Sequence, residues 1–402
     1  MERIILHCDL NCFYASVELL THPELRNVPV AVCGDPESRH GIILAKNEPA
    51  KRFGVQTAET LWQAKRKCPN LTLLASHHDR YREYSQKVNA MYDQYTDLVE
   101  PFGIDESWLD VTGTLHLFGG DPVKLADHLR KRIREELGLT LSVGVSFNKV
   151  FAKLGSDYKK PDATTLISPR NWRSIVWPLP VGALLYVGKA AQKLLHENHV
   201  ETIGDLAVCS PALLEGSMGR LGLRLHDYAN GLDTAPVRSR FDREPVKSVG
   251  NGSTFSHNLT TEQEVRNAVS LLADSVATRL RNHGLYACGV AVTVRDPEFH
   301  DRSRQRQLHA PSHLIREITE AAMDLVHQLW QPPNPLRMVT VTAIHLVEEG
   351  QAYEQLNLFE APAVPRNEKQ EKLEAAMERI RGKFGSDAIA FGASQLNNKE
   401  DT

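Results

Sequence analysis

The chain has 402 residues, of which 42% are hydrophobic and 24% charged, a composition typical of a globular protein with ample material for a core. Its net charge of −3 does not by itself indicate a nucleic-acid binder, and no apolar run approaches the roughly 20 residues of a membrane helix. The six cysteines are scattered without a CxxC pair, which argues against a structural zinc site and favours reduced thiols. The N-terminus, MERIILHCDLN, lacks the features of a signal peptide. We therefore expect a cytoplasmic protein without membrane contact.

The first part of the chain mixes short apolar strands with helices. Strand-like runs occur at IILHC (4–8), VPVAV (28–32) and GIILA (41–45). From residue 98 onward the pattern predicts two strands, then a glycine-terminated helix over 121–138 and a further strand over 139–146. This order predicts an antiparallel sheet backed by helices, and hence an α+β fold.

The rest of the chain separates into further regions. Residues 169–234 predict several short helices, and the basic stretch 235–248 predicts a linker. Residues 249–349 show the order β-α-β-β-α-β, in which each helix has one apolar face that can pack on a sheet. The polar remainder, 350–402, is predicted to be partly disordered, with a charged helix over 366–385.

Three carboxylates, Asp9, Asp105 and Glu106, lie beside apolar strand-like residues. Each one alone is more typical of a turn or a cap than of a ligand. If the two strands are neighbours in one sheet, the carboxylates meet, and charges of the same sign repel unless a cation lies among them. Magnesium favours such oxygen clusters, and two ions about 3.5–4 Å apart stabilise the attacking and leaving oxygens of phosphoryl transfer. This hypothesis expects the oxygens to lie close together, without arginine or lysine partners.

Two basic clusters are consistent with a phosphate substrate. One lies in SFNKVFAKLGSDYKKPD (146–162), directly after a strand, and the other in ILAKNEPAKRFG (43–54), at a strand-to-helix junction. The helix that begins near Asn148 would also present backbone N–H groups to an anion. Solvated helix faces explain either cluster equally well. The basic residues are Lys149, Lys153, Lys159 and Lys160 in the first cluster, and Lys46, Lys51 and Arg52 in the second.

Several motifs resemble those of the Y-family DNA polymerases, the DNA polymerase IV-like translesion enzymes. They follow in order over about 350 residues: DLNCFYASVE, GIDESWLD, SVGVSFNKVFAKLGSDYKKPD, YANGLDTAPV and KSVGNGSTF. The resemblance implies a right-hand fold of palm, fingers and thumb, with a separate β-α-β-β-α-β little-finger domain. The implied domains are the palm (1–10 and 78–168), fingers (11–77), thumb (169–234), linker (235–248), little finger (249–349) and clamp-binding tail (350–402).

The resemblance also implies an activity and a metal site. Family members add dNTPs to a primer 3′-OH by two-metal phosphoryl transfer, copy damaged templates with low fidelity and lack proofreading. Primer–template DNA and dNTPs are thus implied as partners, two Mg²⁺ as cofactors, and we expect a monomer. Asp9, Asp105 and Glu106 match the catalytic metal-binding triad, with Glu106 as the active-site residue and the Leu10 carbonyl as a further ligand.

The triphosphate contacts are partly matched and partly changed. The backbone amides at Cys12 and Phe13, and the side chain of Lys160, match groups that bind the triphosphate in the family. Tyr14 matches the steric gate, the aromatic residue that excludes a ribonucleotide by crowding its 2′-OH. The alternative for Tyr14 is an aromatic side chain that only packs in the core. The family usually carries tyrosine and arginine where NEPAKRF has Glu48 and Lys51.

These replacements alter the expected grip on the triphosphate. Lys51 keeps the positive charge but not the bidentate fork of arginine. Since Glu48 would repel a triphosphate, we expect it to pair with a neighbouring base or to turn away. The thumb hairpin is also changed, because Tyr186-Val187-Gly188 retains only the second glycine of the family's glycine-x-glycine.

The tail contains QLNLF (355–359), which resembles the bacterial sliding-clamp-binding pentapeptide. The resemblance implies that the tail binds the replicative clamp, which would raise the local concentration of enzyme at a primer end. An edge strand is the alternative. The clamp-binding residues are Gln355, Leu356, Leu358 and Phe359.

Two other classes of function remain open. A non-catalytic DNA-binding accessory protein could retain the polymerase fold, and Glu48 favours this alternative, whereas the presence of all three acids opposes it. A nucleotide cyclase uses similar paired acids, but it would have no use for the linker, the little-finger region or the clamp-like peptide.

Overall fold

The computed structural model describes residues 2–34, 41–242, 244–351, 368–385 and 388–389. The chain divides into two compact units, Met1–Arg243 and Glu244–Thr402. Among the described helices, none combines the length and the apolar character that crossing a bilayer requires.

The first unit combines two sheets with a set of helices. Its described strands are β1 (Ile5–Leu10), β2 (Val30–Cys33), β3 (Ile43–Lys46), β4 (Thr72–Ala75), β5 (Val99–Pro101), β6 (Glu106–Asp110), β7 (Leu141–Ser146) and β8 (Thr164–Ile167). Its described α-helices are α1 (Phe13–Thr21), α2 (Glu48–Arg52), α3 (Leu61–Lys67), α4 (His78–Tyr92), α5 (Pro122–Leu137), α6 (Lys149–Tyr158), α7 (Trp172–Val176), α8 (Lys189–Glu197), α9 (Ile203–Val208), α10 (Pro211–Met218) and α11 (Arg220–Ala229). Short 3₁₀ turns lie at Pro23–Leu25, Leu115–Phe118 and Val181–Ala183.

The larger sheet has the strand order β5-β6-β1-β7-β8. Strand β1 is its centre and pairs antiparallel with both β6 and β7, while β8 pairs parallel with β7. The predicted antiparallel sheet is therefore confirmed around β1 but is mixed at one edge, because the chain runs through α6 before it returns as β8. All six residues of β1 are buried, so both faces of this strand are covered.

The two faces of β1 contact different parts of the unit. Leu6, Cys8 and Leu10 belong to the apolar core that also contains the buried side chains of α4 and α5. The alternate residues, Ile5, His7 and Asp9, lie on the opposite face, because successive side chains of a strand point to opposite sides. That second face is covered by α6, which packs on β1, β7 and β8.

Helix α6 approaches the sheet unusually closely. A Cβ atom at Gly144 of β7 would overlap the carbonyl oxygen of Ala152 in α6, and one at Gly155 would lie 2.9 Å from the Gly144 Cα. The helix begins at an Asn148 cap whose side chain accepts a hydrogen bond from the Phe151 amide. Because glycine removes the side chains between helix and strand, the lysines of α6 come within reach of the β1 carboxylate.

The smaller sheet and the remaining helices form separate apolar clusters. Strands β3, β2 and β4 form a sheet in that order, and its core includes Ala31, Ile43 and Ala64. Helices α7 to α11 surround a core centred on Phe151, Trp172 and other side chains of residues 150–229. The predicted helical region 169–234 is thus helical.

The second unit has the predicted β-α-β-β-α-β order. It contains β9 (Ser248–Leu259), α12 (Glu262–Asn282), β10 (Leu285–Arg295), β11 (Asp301–Ser312), α13 (Ile315–Leu329), β12 (Leu336–Glu348), a 3₁₀ turn (Glu349–Gln351) and α14 (Glu368–Phe384). The sheet order is β11-β10-β12-β9, and the apolar faces of α12 and α13 pack against it.

Helix α14 docks on the second unit through charged side chains. Glu374, only 1% exposed, accepts a hydrogen bond from Arg281 (2.6 Å) and from the Ile315 amide at the start of α13 (3.2 Å). Arg381 forms a two-point pair with Asp274 of α12 at 2.7 and 2.8 Å. The helix predicted over 366–385 is therefore present and packed against the unit.

The unit boundary lies within the segment predicted as a linker, between residues 243 and 244. The first half of that segment packs on the first unit. Val237 is buried with Ile5 and Trp108, and the Arg238 amide donates to Glu100 at 2.9 Å.

Candidate active site

Asp9 of β1 and Glu106 of β6 are direct cross-strand partners. Directly opposed residues of an antiparallel pair project from the same face, so the two carboxylates share the face that α6 covers. Asp105 precedes β6, and its carbonyl accepts a hydrogen bond from the Leu10 amide at 3.0 Å. The structure therefore brings the carboxylates of Asp9 and Glu106 to one face of the sheet and the backbone of Asp105 next to Leu10.

The pKa values of Asp105 and Glu106 shift in opposite directions. Burial and the neighbouring charges of Asp9 and Glu106 raise the pKa of Asp105 to about 6. Burial alone would also raise the pKa of Glu106, but hydrogen bonds from His7 and Lys153 lower it to about 2. The main cause of the raised pKa of Asp105 is therefore burial, and the negative charges of Asp9 and Glu106 add to it.

Two lysines contact the carboxylates. The ammonium of Lys153 lies 3.2 Å from Asp9 Oδ2 and also forms a short contact with Glu106 Oε2. Lys160 Nζ lies 2.7 Å from the same Asp9 oxygen and 2.7 Å from Asp157. The expectation that the acids would have no lysine partners is therefore wrong. Its physical reason is the close approach of α6, which places these side chains over the carboxylates.

The remaining predicted lysine of α6 has another partner. Lys149 lies 2.7 Å from Glu100 and its ammonium is 4.3 Å from the centre of the Trp108 ring. It therefore neutralises a different buried acid, one turn of helix away from the Asp9–Glu106 pair.

His7 is a neighbour of the acids that sequence reasoning missed. Its Nδ1 lies 2.8 Å from Ser156 Oγ, and its Nε2 lies 3.3 Å from Glu106 Oε2. Atoms of His7, Asp9 and Glu106 that could bind a metal all lie within 4.8 Å of one another. The alternation of β1 contained the necessary signal, because residues 7 and 9 must share a face.

The start of helix α1 adjoins the carboxylates. Cys12 precedes the helix with φ of +51°, and within the described residues no side chain caps this end. The first amides of an α-helix have no partner inside the helix and attract anions. Cys12 and Phe13 thus lie at the start of α1, and their contacts with a triphosphate stay a prediction.

Tyr14 is held by an aromatic neighbour. Its ring stacks on Tyr81 with centroids 4.1 Å apart and an interplanar angle of 12°. Burial, together with the nearby charge of Asp105, raises the pKa of the Tyr14 hydroxyl. Tyr14 is partly buried and also lies against the rings of Phe13 and His78, so its role as the steric gate stays a prediction beside the alternative of a packing aromatic.

Glu48 pairs with a base, as predicted. Its carboxylate accepts a hydrogen bond from Lys51 at 2.6 Å, one turn along α2, and from the Cys12 thiol at 3.2 Å. Lys51 is therefore directed toward the start of α1, but with its charge partly neutralised by Glu48.

The remaining sequence predictions concern the thumb hairpin and the clamp-like peptide. In the changed thumb hairpin, Tyr186 adopts the left-handed conformation with φ of +68°, so it takes the backbone geometry that a glycine favours. The peptide 355–359, with Gln355, Leu356, Leu358 and Phe359, lies outside the described residues.

Known proteins resemble this chain along most of its length. The impB/mucB/samB family model matches residues 8–157, and the model of the C-terminal domain of that family matches residues 246–358. A DNA polymerase IV of Acetivibrio thermocellus is 45% identical over 98% of this chain and 97% of the relative. DNA polymerase IV 1 of Bacillus subtilis is 38% identical over 100% of this chain and 95% of the relative. This chain belongs to the Y family of DNA polymerases, in the DNA polymerase IV group.

A solved Y-family structure confirms the predicted fold of this Y-family chain. The Y-family DNA polymerase chimera Dbh-Dpo4(243-245)-Dbh matches with a TM-score of 0.75 and 21% sequence identity, covering 86% of this chain and 99% of that one. The α+β right-hand fold is therefore confirmed, and the C-terminal sheet unit is consistent with a little finger.

Y-family membership implies dependence on a divalent metal, and the site fits one. Asp9 and Glu106 provide carboxylate oxygens, which hard cations prefer, and within the described residues these atoms lie within 4.8 Å of each other and of a His7 ring nitrogen.

Proposed function

We propose that this chain adds dNTPs to a primer 3′-OH opposite a DNA template and copies damaged templates without proofreading. It is a DNA-directed DNA polymerase, as its family membership indicates. The observation that carries the site assignment is the cross-strand pairing of Asp9 with Glu106 beside Asp105.

The metal in this proposal is Mg²⁺, with two ions per site. Asp9, Asp105 and Glu106, with the Leu10 carbonyl as a further ligand, are the groups that would hold them. When bound, divalent cations stabilise the negative charge that develops on the transferring phosphoryl group and on the attacking and leaving oxygens. The proximity of Asp9 and Glu106 on one face of the sheet supports this assignment.

Groups of the chain itself would bind the nucleotide. The amides at Cys12 and Phe13 open helix α1, where the partial positive charge of the helix favours a phosphate. Lys160 and Lys51 would add positive charge on either side of that helix start. Tyr14 would crowd the 2′ position of a ribonucleotide, and its stacking on Tyr81 supports this role because it fixes the ring.

The domain assignments follow from the elements of each unit. We assign the larger sheet to the palm, the smaller sheet with α1 to α3 to the fingers, and helices α7 to α11 to the thumb. The sheet of the second unit would contact DNA through its strand β11, where Arg302 and Arg304 are exposed. The chain would act as a monomer.

Docking to the sliding clamp would depend on the peptide Gln355–Phe359. Its sequence supports this proposal, since Leu358 and Phe359 provide adjacent apolar anchors for a groove. We expect that replacing Gln355, Leu358 and Phe359 by alanine abolishes clamp-stimulated extension and leaves clamp-independent extension unchanged. Equal stimulation of the variant by the clamp would remove this peptide as the docking site.

The alternative of a non-catalytic accessory protein rests on Glu48. The pairing of Glu48 with Lys51 weakens that alternative, because the carboxylate is already neutralised by a neighbour. Primer extension past a template abasic site, with Mg²⁺ and all four dNTPs, tests the proposed copying of damaged templates. We expect products longer than the lesion position, whereas the accessory protein would bind the same DNA without extending it.

A further inference from the structure

Lys153 lies within reach of acids that belong to two different groups. Its ammonium contacts Asp9 and Glu106, which are the proposed metal ligands, and it also lies 3.4 Å from Asp157 Oδ2 on its own helix. Its side chain is 17% exposed, whereas that of Asp157 is 47% exposed. Lys153 thus lies between two enclosed carboxylates, those of Asp9 and Glu106, and the more exposed carboxylate of Asp157.

Lys153 occupies one oxygen of each of the two carboxylates that would hold a metal. Asp9 Oδ2 accepts from both Lys153 and Lys160, and Glu106 Oε2 contacts both Lys153 and His7. A divalent cation bound to Asp9 and Glu106 would repel an ammonium at the same oxygens and would occupy its place. Lys153 and the metal therefore exclude each other at this position.

Asp157 offers Lys153 a second partner without a movement of the backbone. The two residues are four positions apart on α6, the spacing at which side chains on one face of a helix meet. The second carboxylate oxygen of Asp157 already accepts from Lys160 at 2.7 Å. A change of side-chain rotamer would therefore move the Lys153 charge from the metal ligands to Asp157.

We propose that Lys153 is an exchangeable counter-cation of the active site. It neutralises Asp9 and Glu106 before a divalent metal binds, and it pairs with Asp157 once the metal has taken its place. This role rests on the proposed metal site, and it makes Lys153 a positioning residue that sets the metal requirement of the enzyme.

Two substitutions should change metal affinity in opposite directions. Lys153→Met removes the competing charge while it keeps a side chain of similar length, so the dissociation constant for Mn²⁺ should fall by about tenfold, the worth of one charge-assisted contact. Asp157→Asn removes the alternative partner, so the dissociation constant should rise by roughly two- to fivefold. Lys149→Met is the matched control, because it removes the same charge one turn earlier, where the partner is Glu100.

The test is a titration of the full-length chain with Mn²⁺, without DNA or nucleotide, that follows free Mn²⁺ by electron paramagnetic resonance. We expect tighter binding for Lys153→Met, weaker binding for Asp157→Asn, and no change for Lys149→Met. In the double variant, the effect of Asp157→Asn should be smaller than in the parent background, because Lys160 is then the one remaining ammonium of the two that Asp157 pairs with among the described residues. Unchanged affinity in Lys153→Met, or an equal effect of Asp157→Asn in both backgrounds, overturns the exchange.

Thermal unfolding provides a second measurement. Without metal, Lys153→Met leaves Glu106 without its lysine partner and Asp9 with Lys160 alone among the described lysines, so its melting temperature should be lower than that of the parent chain and should recover with Mn²⁺. Equal melting temperatures of the two proteins without metal contradict the counter-cation role. If this variant does not fold, the exposed Asp157→Asn still decides the question, since unchanged affinity there also overturns the proposal.

Asp9→Asn separates this inference from the metal assignment. If Asp9→Asn binds Mn²⁺ as the parent chain does, the proposed metal site itself is wrong. If Asp9→Asn loses binding while Lys153→Met shows parental affinity, the metal site stands and only the exchange is wrong.

Discussion

Asp9 and Glu106 face each other across neighbouring antiparallel strands, and a single ammonium, that of Lys153, contacts both. The pairing of the two strands and the packing of α6 therefore together determine the arrangement of charges at the proposed metal site. The register of β1 against β6 sets the spacing of the acids, and the close packing of α6 supplies the positive charge between them. A change in either element should therefore alter the site.

The steric gate can be tested at Tyr14. Tyr14→Ala removes the ring that would crowd a ribose 2′-OH, so the preference for dNTPs over rNTPs should fall by about tenfold or more. Single-nucleotide incorporation kinetics with dCTP and CTP measure this ratio. Tyr14→Phe is the control, since it keeps the ring on Tyr81 and should keep the preference. Unaltered discrimination in Tyr14→Ala would exclude Tyr14 as the gate.

The ion pair of Glu48 and Lys51 predicts a change in nucleotide affinity. Glu48→Gln removes the negative charge while Lys51 stays, so KM for the incoming dNTP should fall by roughly two- to fivefold with little change in kcat. Lys51→Gln should raise KM, because it removes the positive charge. Steady-state kinetics on one primer–template give both values, and a higher KM in Glu48→Gln would show that the carboxylate assists nucleotide binding.

The approach of α6 to the sheet predicts a specific sensitivity at Gly144. In Gly144→Ala the new Cβ would overlap the Ala152 carbonyl oxygen, so the free energy of unfolding should fall by about 1–3 kcal/mol or more. Urea denaturation measures the change. Gly113→Ala serves as the control, because no atom lies within 4 Å of its added Cβ. Equal stabilities of the two variants would contradict the tight contact between α6 and β7.

Much of this site follows from local sequence patterns. Strand alternation predicts that Asp9 lies on one face of β1, and cap residues predict α5, which begins after Asp121 and ends before Gly138. The little-finger order is equally local, because each helix carries its own apolar face and the capping box of Thr261 and Glu264 marks the start of α12.

The rest depends on tertiary contacts that no local pattern contains. The sequence assigned Lys153 and Lys160 to a phosphate-binding cluster. In the structure the close contact of α6 with β7 places Lys153 on Asp9 and Glu106, and Lys160, just after α6, lies on Asp9. Likewise, α14 looks like a charged, solvated helix in the sequence. In the structure its Glu374 is buried against Arg281 of α12. The two residues lie far apart in the sequence, so no local pattern shows this contact.

The central claim is that Asp9, Asp105 and Glu106 hold the divalent metal at which primer and dNTP react. Primer extension by Asp105→Ala in Mg²⁺, measured together with its affinity for primer–template DNA, tests it most directly. We predict that extension falls by at least about a hundredfold while DNA affinity stays within about twofold of the parent chain. Extension at the parental rate by a folded, DNA-bound Asp105→Ala chain would contradict the account.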